Sequence, residues 1–242
     1  MRKNIILTII GSLFVFVAIR CEGPVRFINI PEDEIEQPGE GVPQDFSHTG
    51  PDVVFIGNSI TRLFREYSAG GENWFDKNNY VGKGIDGQTS TTIKNRFDND
   101  VLALDPWCVV ISCGTNDIAR NGGYVSLETI MANIETMAQK AKALHIKVFL
   151  ASVTPACSFW WNTTDSELTV AYIKKYIKDL NVAIKEYAEL NNFTYVDYYS
   201  ATKDQDDCAP SQYFYDGVHP SAAGFEVMAS VVKPLLDKAL GK

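Results

Sequence analysis

Histidine is scarce in this 242-residue chain, which has three: His48, His145 and His219. A metal centre rich in imidazole is hard to build from so few. Positive charge is also in deficit. Against 30 Asp and Glu stand 22 Lys and Arg, leaving a formal charge of -8; the few cations are not clustered, so a nucleic-acid backbone would meet net repulsion. The apolar run from Ile5 to Ile19 stops at fifteen residues. A membrane-spanning helix wants roughly 20. Beyond residue 50 there is no internal repeat and no low-complexity block. Apolar material is plentiful: 45% hydrophobic and 12% aromatic residues are enough for a full core and exclude a disordered chain.

Arg2 and Lys3 ahead of the Ile5–Ile19 run make residues 1–20 read as an export signal. Cys21 follows at once. Val17-Ala18-Ile19-Arg20-Cys21 resembles a bacterial lipoprotein signal, with Arg20 where a small residue is usual. Two outcomes stay open: a cell-envelope protein whose membrane contact is a lipid on Cys21, or a periplasmic or secreted one with Cys21 free or paired. Residues 21–50 carry Pro24, Pro31, Pro38 and Pro43. Between 31 and 45 they hold Glu32, Asp33, Glu34, Glu36, Glu40 and Asp45 with no cation, so they read as an acidic, extended tether. Residues 51–242 are then one domain.

In that domain short apolar runs alternate with helical patterns. Val53-Val54-Phe55-Ile56, Asn79-Tyr80-Val81, Cys108-Val109-Val110-Ile111, Val148-Phe149-Leu150-Ala151 and Tyr195-Val196 read as strands. Several are continuous rather than alternating, as suits strands buried on both faces. Leu127, Ile130, Met131, Ile134, Met137, Ala141 and Leu144 recur at helical spacing behind a cap at Ser126, and Ile173 to Leu190 repeats the pattern. Such alternation predicts an α/β fold, a parallel sheet of about five strands between two helical layers. Ligands in such sheets gather at the carboxyl ends of the strands.

Four of those ends carry chemistry. Gly57-Asn58-Ser59-Ile60-Thr61 follows the first strand, where a sharp turn would set a serine hydroxyl beside free helix N–H groups; a serine here could equally just cap the helix. Lys83-Gly84-Ile85-Asp86-Gly87 follows the second strand and Cys113-Gly114-Thr115-Asn116-Asp117 the third. A glycine N–H can approach a substrate oxygen closely, and an asparagine amide is an uncharged donor; each motif could also be only a turn or a cap. Near the end, Asp216-Gly217-Val218-His219-Pro220 sets a carboxylate and an imidazole three residues apart, before a helix expected to open at Pro220. A serine hydroxyl needs an imidazole to take its proton and a carboxylate to hold that ring. With His48 in the tether and His145 at a corner, His219 is the base by elimination as well as context.

Over Asp52 to Leu236 these four motifs resemble the SGNH hydrolases, the GDSL esterase and lipase superfamily. The resemblance implies a flavodoxin-like three-layer α/β/α sandwich. It makes Ser59 the nucleophile, His219 the general base and then acid, and Asp216 its orienting partner. The oxyanion hole would comprise the backbone N–H groups of Ser59 and Gly84 and the Asn116 amide. One departure is Asn58, where the family usually has aspartate. No metal or organic cofactor is needed for acyl transfer of this kind.

Trp74 and Phe75 precede the second strand, and Phe159, Trp160 and Trp161 follow the fourth. Trp74, Trp160 and Trp161 are candidates to stack on sugar rings, or else to pack in the core. With the export signal they make the chain resemble the acetyl-esterase members of that superfamily that deacetylate glycans, which favours a carbohydrate O-acetyl esterase over a lysophospholipase or thioesterase. Outside this chemistry stand a glycan-binding module without turnover, and a cysteine nucleophile at Cys113, whose better reading is a buried strand residue. Cys108 and Cys113 point to opposite faces, whereas Cys157 and Cys208, both in loops, could form a disulfide if the chain is exported. Asn162-Thr163-Thr164 and Asn192-Phe193-Thr194 match glycosylation sequons, set aside for a bacterial source.

Overall fold

The structure, a computed structural model, describes residues 47–242 and, by backbone alone, the short segments 5–9, 15–19 and 27–28. The chain divides into two compact units, 1–46 and 47–242. In the first unit Ile5–Ile9 pairs antiparallel with Val15–Ile19, which pairs in turn with Phe27–Ile28. Cys21 and the acidic stretch between 31 and 45 lie outside the described residues, and with them the expectations of lipidation and a tether. Residues 47–50, expected to end that tether, belong instead to the second unit. The Asp105 carboxylate accepts from His48 Nδ1 at 2.7 Å and from Thr49 N at 2.9 Å, and its carbonyl accepts from Gly50 N at 3.1 Å.

Five parallel strands form the centre of this unit: β1 (Val53–Gly57), β2 (Tyr80–Gly84), β3 (Cys108–Ser112), β4 (Lys147–Ala151) and β5 (Thr194–Val196), in the spatial order β5-β4-β3-β1-β2. Among the described residues eight α-helices follow in chain order: α1 (Ser59–Glu66), α2 (Trp74–Lys77), α3 (Ser90–Asp100), α4 (Thr115–Ile118), α5 (Leu127–Ala143), α6 (Val170–Asn191), α7 (Tyr198–Thr202) and α8 (Ala222–Leu240). All five expected strands and both helices expected from apolar periodicity are present. Ser126 caps α5 through Thr129 N, as its position before the apolar periodicity implied.

The continuous apolar strands have the predicted cause. Alternate residues of each strand feed two cores, one on each face. Val54, Ile56, Val109 and Ile111 pack with Ile93 and Phe97 of α3, Ile134 of α5 and Ile177 and Leu180 of α6. Val53, Phe55, Cys108 and Val110 pack with Phe64 of α1 and Phe225, Met228 and Val232 of α8. At about 1.5–3 kcal/mol for each large side chain fully buried, the two helical layers are held chiefly by this apolar contact. Cys108 and Cys113 fall into opposite cores as expected, and both are free thiols.

Helix α8 departs from the expectation at its start. It is capped by Ser221, whose hydroxyl accepts from Gly224 N, and Pro220 stands before the cap rather than in the first turn. Pro220 instead bridges back to Phe214, and Tyr215 N donates to His219 O at 3.1 Å. The 214–220 segment is thereby a closed loop.

Candidate active site

Parallel register lines up the strand ends. Gly57 is level with Gly84 on one side and Ser112 on the other, so the segments after β1, β2 and β3 emerge at one edge. Asn58 has an extended backbone and turns the chain into α1; its buried side-chain oxygen accepts from Ile60 N at 3.0 Å, satisfying a helix-end donor. Asn58 thus does as a cap what the usual aspartate could do, without its charge. Ser59 becomes the first residue of α1, and its Oγ lies 2.9 Å from His219 Nε2. Those two residues are 160 apart in sequence.

The closed 214–220 loop brings Asp216 to the other ring nitrogen. His219 Nδ1 donates to Asp216 Oδ2 at 2.7 Å, while Asp216 Oδ1 accepts from Val218 N at 3.0 Å and His219 N at 2.7 Å. An ionised carboxylate only accepts, so the shared proton sits on Nδ1, and in the neutral ring Nε2 is left to accept from the Ser59 hydroxyl. Burial would raise the Asp216 carboxyl; the hydrogen bonds from His219 and Val218 outweigh it and hold the carboxyl below its usual range. Trp160 Nε1 adds a fourth donor to this carboxylate, at 3.2 Å from Oδ2.

The three residues open on a cavity of about 280 Å³ lined by Ser59, Arg62, Leu63, Asp86, Gly87, Asn116, Asn121, Trp160, Trp161, Tyr215 and His219. Asn116, buried at the start of α4, has its Oδ1 engaged by Asn121 Nδ2 at 2.8 Å; its own Nδ2 donates to Gln88 O at 3.0 Å, leaving a second amide hydrogen for the cavity. Beside it, Asp117 turns inward. Burial raises its carboxyl, against donation from Ser90 N at 2.8 Å and Ser90 Oγ at 2.7 Å, so Asp117 caps α3 from outside that helix.

Two expected site residues lie elsewhere. Gly84 does not border the cavity. Ile85 N donates to Gly57 O, so by strand alternation the Gly84 N–H faces away from β1. A Cβ at Gly84 would lie 2.0 Å from Arg62 N; this glycine is there to let α1 pack on β2. Gly87, three residues on, borders the cavity with φ of 72°, which places it in the left-handed region that favours glycine. Both glycines were visible in the motif, and the clue that separates them is that Gly84 still belongs to the strand. Trp74 is also not at the site. It is 6% exposed and stacks on Phe64 with centroids 5.0 Å apart, inside the core beside Phe225. The amphipathic helix α1, with Phe64 inside it and Tyr67 at its C-cap, was the signal for that aromatic core.

Trp160 and Trp161 do border the cavity, edge to face with centroids 5.5 Å apart, and Trp160 is 62% exposed. Their loop is stapled by a disulfide between Cys157 and Cys208, as their loop positions allowed. No pattern along the chain singles out Tyr215, whose exposed ring stacks on the His219 imidazole with centroids 5.8 Å apart, or Arg62, which pairs with Asp86 at the rim. Cys113 is buried outside the cavity, and desolvation pushes its thiol far up, which removes it as a nucleophile. Among the described residues no group of three or more His, Cys, Asp or Glu converges as a metal ion would require.

A serine hydroxyl paired with an imidazole and a carboxylate at the carboxyl edge of a parallel sheet defines a serine hydrolase, and the relatives of this chain make it an ester hydrolase. The chain belongs to the GDSL-like lipase/acylhydrolase family, whose profile matches residues 55–227, within the SGNH hydrolase superfamily. It is 38% identical to a GDSL-like lipase of Bacteroides thetaiotaomicron, superposing with a TM-score of 0.71 over 77% of this chain and 88% of that one. It is 27% identical to a human isoamyl acetate-hydrolyzing esterase 1 homolog, over 78% of this chain and 82% of the relative. To an acetylxylan esterase of Geobacillus stearothermophilus it is 28% identical, over 62% of this chain and 68% of the relative.

Proposed function

We propose that the protein removes short acyl groups, acetyl above all, from hydroxyls of carbohydrates. The observation that carries this reading is the Ser59–His219–Asp216 relay opening onto a small cavity walled by aromatic faces and polar side chains. Leu63 is its one aliphatic wall residue, against Arg62, Asp86, Asn116 and Asn121. A cavity of about 280 Å³ takes an acetyl group easily and leaves little room for a long acyl chain. Trp160, Trp161 and Tyr215 offer ring faces to a sugar, and the acetylxylan esterase relative supports the same substrate class.

In the proposed reaction the Ser59 hydroxyl attacks the ester carbonyl as His219 Nε2 takes its proton. The oxyanion is met by the backbone N–H groups of Ser59 and Gly87 and the free Asn116 amide hydrogen. As the intermediate collapses, the carbonyl carbon's bond to the alcohol oxygen breaks, and His219 returns its proton to the departing alcohol. Water then attacks the acyl-serine by the same proton path, releasing the acid and restoring Ser59. Asp216 holds the neutral ring in the required tautomer and stabilises it while it carries both protons.

Release of acetate from acetylated xylo-oligosaccharides, measured against release of fatty acid from lysophospholipid, tests the substrate class. Faster acetate release is expected, and dominant long-chain release would overturn it. Ser59→Ala should lower acetate release at least about a hundredfold and abolish labelling by a fluorophosphonate probe.

A further inference from the structure

An amide can serve an oxyanion only if its nitrogen end faces the reacting atom. Its oxygen, presented instead, would repel the charge that develops. Rotation of the Asn116 side-chain amide by 180° interchanges the two ends with almost no change of shape, so something must choose between them. Two contacts do. Gln88 O accepts from Asn116 Nδ2 at 3.0 Å, and Asn121 Nδ2 donates to Asn116 Oδ1 at 2.8 Å. Asn121 is itself oriented, because its Oδ1 accepts from Trp161 Nε1 at 2.7 Å. An indole nitrogen only donates, so the Asn121 oxygen must face Trp161 and its NH₂ must face Asn116.

The backbone holds this chain in place. Asn121 N donates to Asn116 O at 3.0 Å, and Arg120, in the left-handed region with φ of 58°, makes the turn. Its guanidinium pairs with Asp165 at 3.0 Å and Glu167 at 2.7 Å and lies 5.1 Å from the centroid of the Tyr172 ring, tying the turn to the segment that follows Trp161.

We propose that Asn121 is a positioning residue for the ester hydrolase reaction: polarised by Trp161, it fixes the Asn116 amide with its nitrogen toward the oxyanion. The proposal rests on the assignment of Asn116 to the oxyanion hole made above. Asn121→Ala removes one neutral hydrogen bond, so kcat should fall about three- to tenfold with KM changed less than about twofold. Asn121→Asp keeps the shape and the Trp161 contact but replaces the donor with an acceptor, driving the Asn116 amide to turn. Its loss should be the larger, approaching the roughly hundredfold or more expected of Asn116→Ala. A merely structural role predicts the opposite order, because Asp fills the space that Ala leaves empty.

The decisive experiment measures kcat and KM on 4-nitrophenyl acetate for both Asn121 variants, alone and combined with Asn116→Ala, per active serine counted by fluorophosphonate labelling. Counting active serines removes any unfolded fraction from the comparison. Support requires Asn121→Asp to be slower than Asn121→Ala, and both to change kcat less than about twofold once Asn116 is gone. Equal or reversed order overturns the proposal. So does a loss from Asn121→Asp that persists in the Asn116→Ala background, which would mean its charge acts on the oxyanion directly. Full kcat in Asn116→Ala alone would instead overturn the oxyanion assignment on which the proposal rests.

Discussion

Replacing Asp216 by asparagine tests the relay at its most constrained atom. Oδ1 accepts two backbone N–H groups, from Val218 and His219, whereas Oδ2 faces His219 Nδ1 and Trp160 Nε1. In Asp216→Asn the two backbone donors hold the remaining oxygen at the Oδ1 position, so the new NH₂ group must occupy the Oδ2 position. There it confronts the N–H of His219. The ring escapes by moving its proton to Nε2, which then donates toward Ser59 Oγ instead of accepting from it. Ser59 loses its base, although every heavy atom stays within hydrogen-bond distance. In the serine-protease template this wrong-tautomer substitution costs about 10⁴ in rate, or about 5 kcal/mol of barrier. The assay is kcat/KM on 4-nitrophenyl acetate per active serine, with the melting temperature as a check that the loop stays folded. Turnover within tenfold of the parent protein would refute the tautomer argument.

Gly84→Ala places a methyl group 2.0 Å from the Arg62 backbone, so it should cost more than about 3 kcal/mol in a denaturant titration. Gly87→Ala meets no atom within 4 Å and should cost only the roughly 1–2 kcal/mol of a left-handed backbone, its larger effect falling on kcat. Trp74→Ala should destabilise by about 3–5 kcal/mol. Trp160→Ala, by contrast, should leave stability within about 0.5 kcal/mol while raising KM for an acetylated oligosaccharide about three- to tenfold. Replacing both Cys157 and Cys208 by alanine reopens a span of 51 residues; the chain-entropy relation puts the loss near 4 kcal/mol, readable as a lowered denaturation midpoint in oxidised protein. Asp105 is held below its usual carboxyl range by the hydrogen bonds from His48 and Thr49. A depressed carboxyl stabilises the fold above its unfolded pKa and loses that contribution as pH falls through the folded one. Amide exchange at Thr49 should therefore accelerate, relative to its intrinsic rate, below about pH 4.

Much of the architecture could be read one residue at a time. Buried parallel strands need apolar side chains on both faces, so β1 and β3 announced themselves as unbroken apolar runs, and the α5 and α6 stripes recorded which faces they bury. The Ser59–His219–Asp216 relay was legible for a similar reason. Acyl transfer restricts its participants to a few residue types, only three histidines were on offer, and the Asp216–His219 contact is local in the chain. Helices α1 and α8 were expected only at their starts, after the Gly57 turn and at Pro220, and α3, with few apolar residues, emerged only with the fold.

What the sequence could not decide is where a side chain points once distant segments meet. Whether Gly84 or Gly87 reaches the cavity depends on where β2 stops pairing with β1, and whether Trp74 or Trp160 meets solvent depends on what packs over each. The same holds for the Asn116 amide, whose orientation comes from Asn121, Trp161 and Gln88. Periodicity reports which face of an element is apolar. Hydrogen-bond direction and burial between residues tens of positions apart are properties of the folded arrangement, and only the tertiary structure determines them.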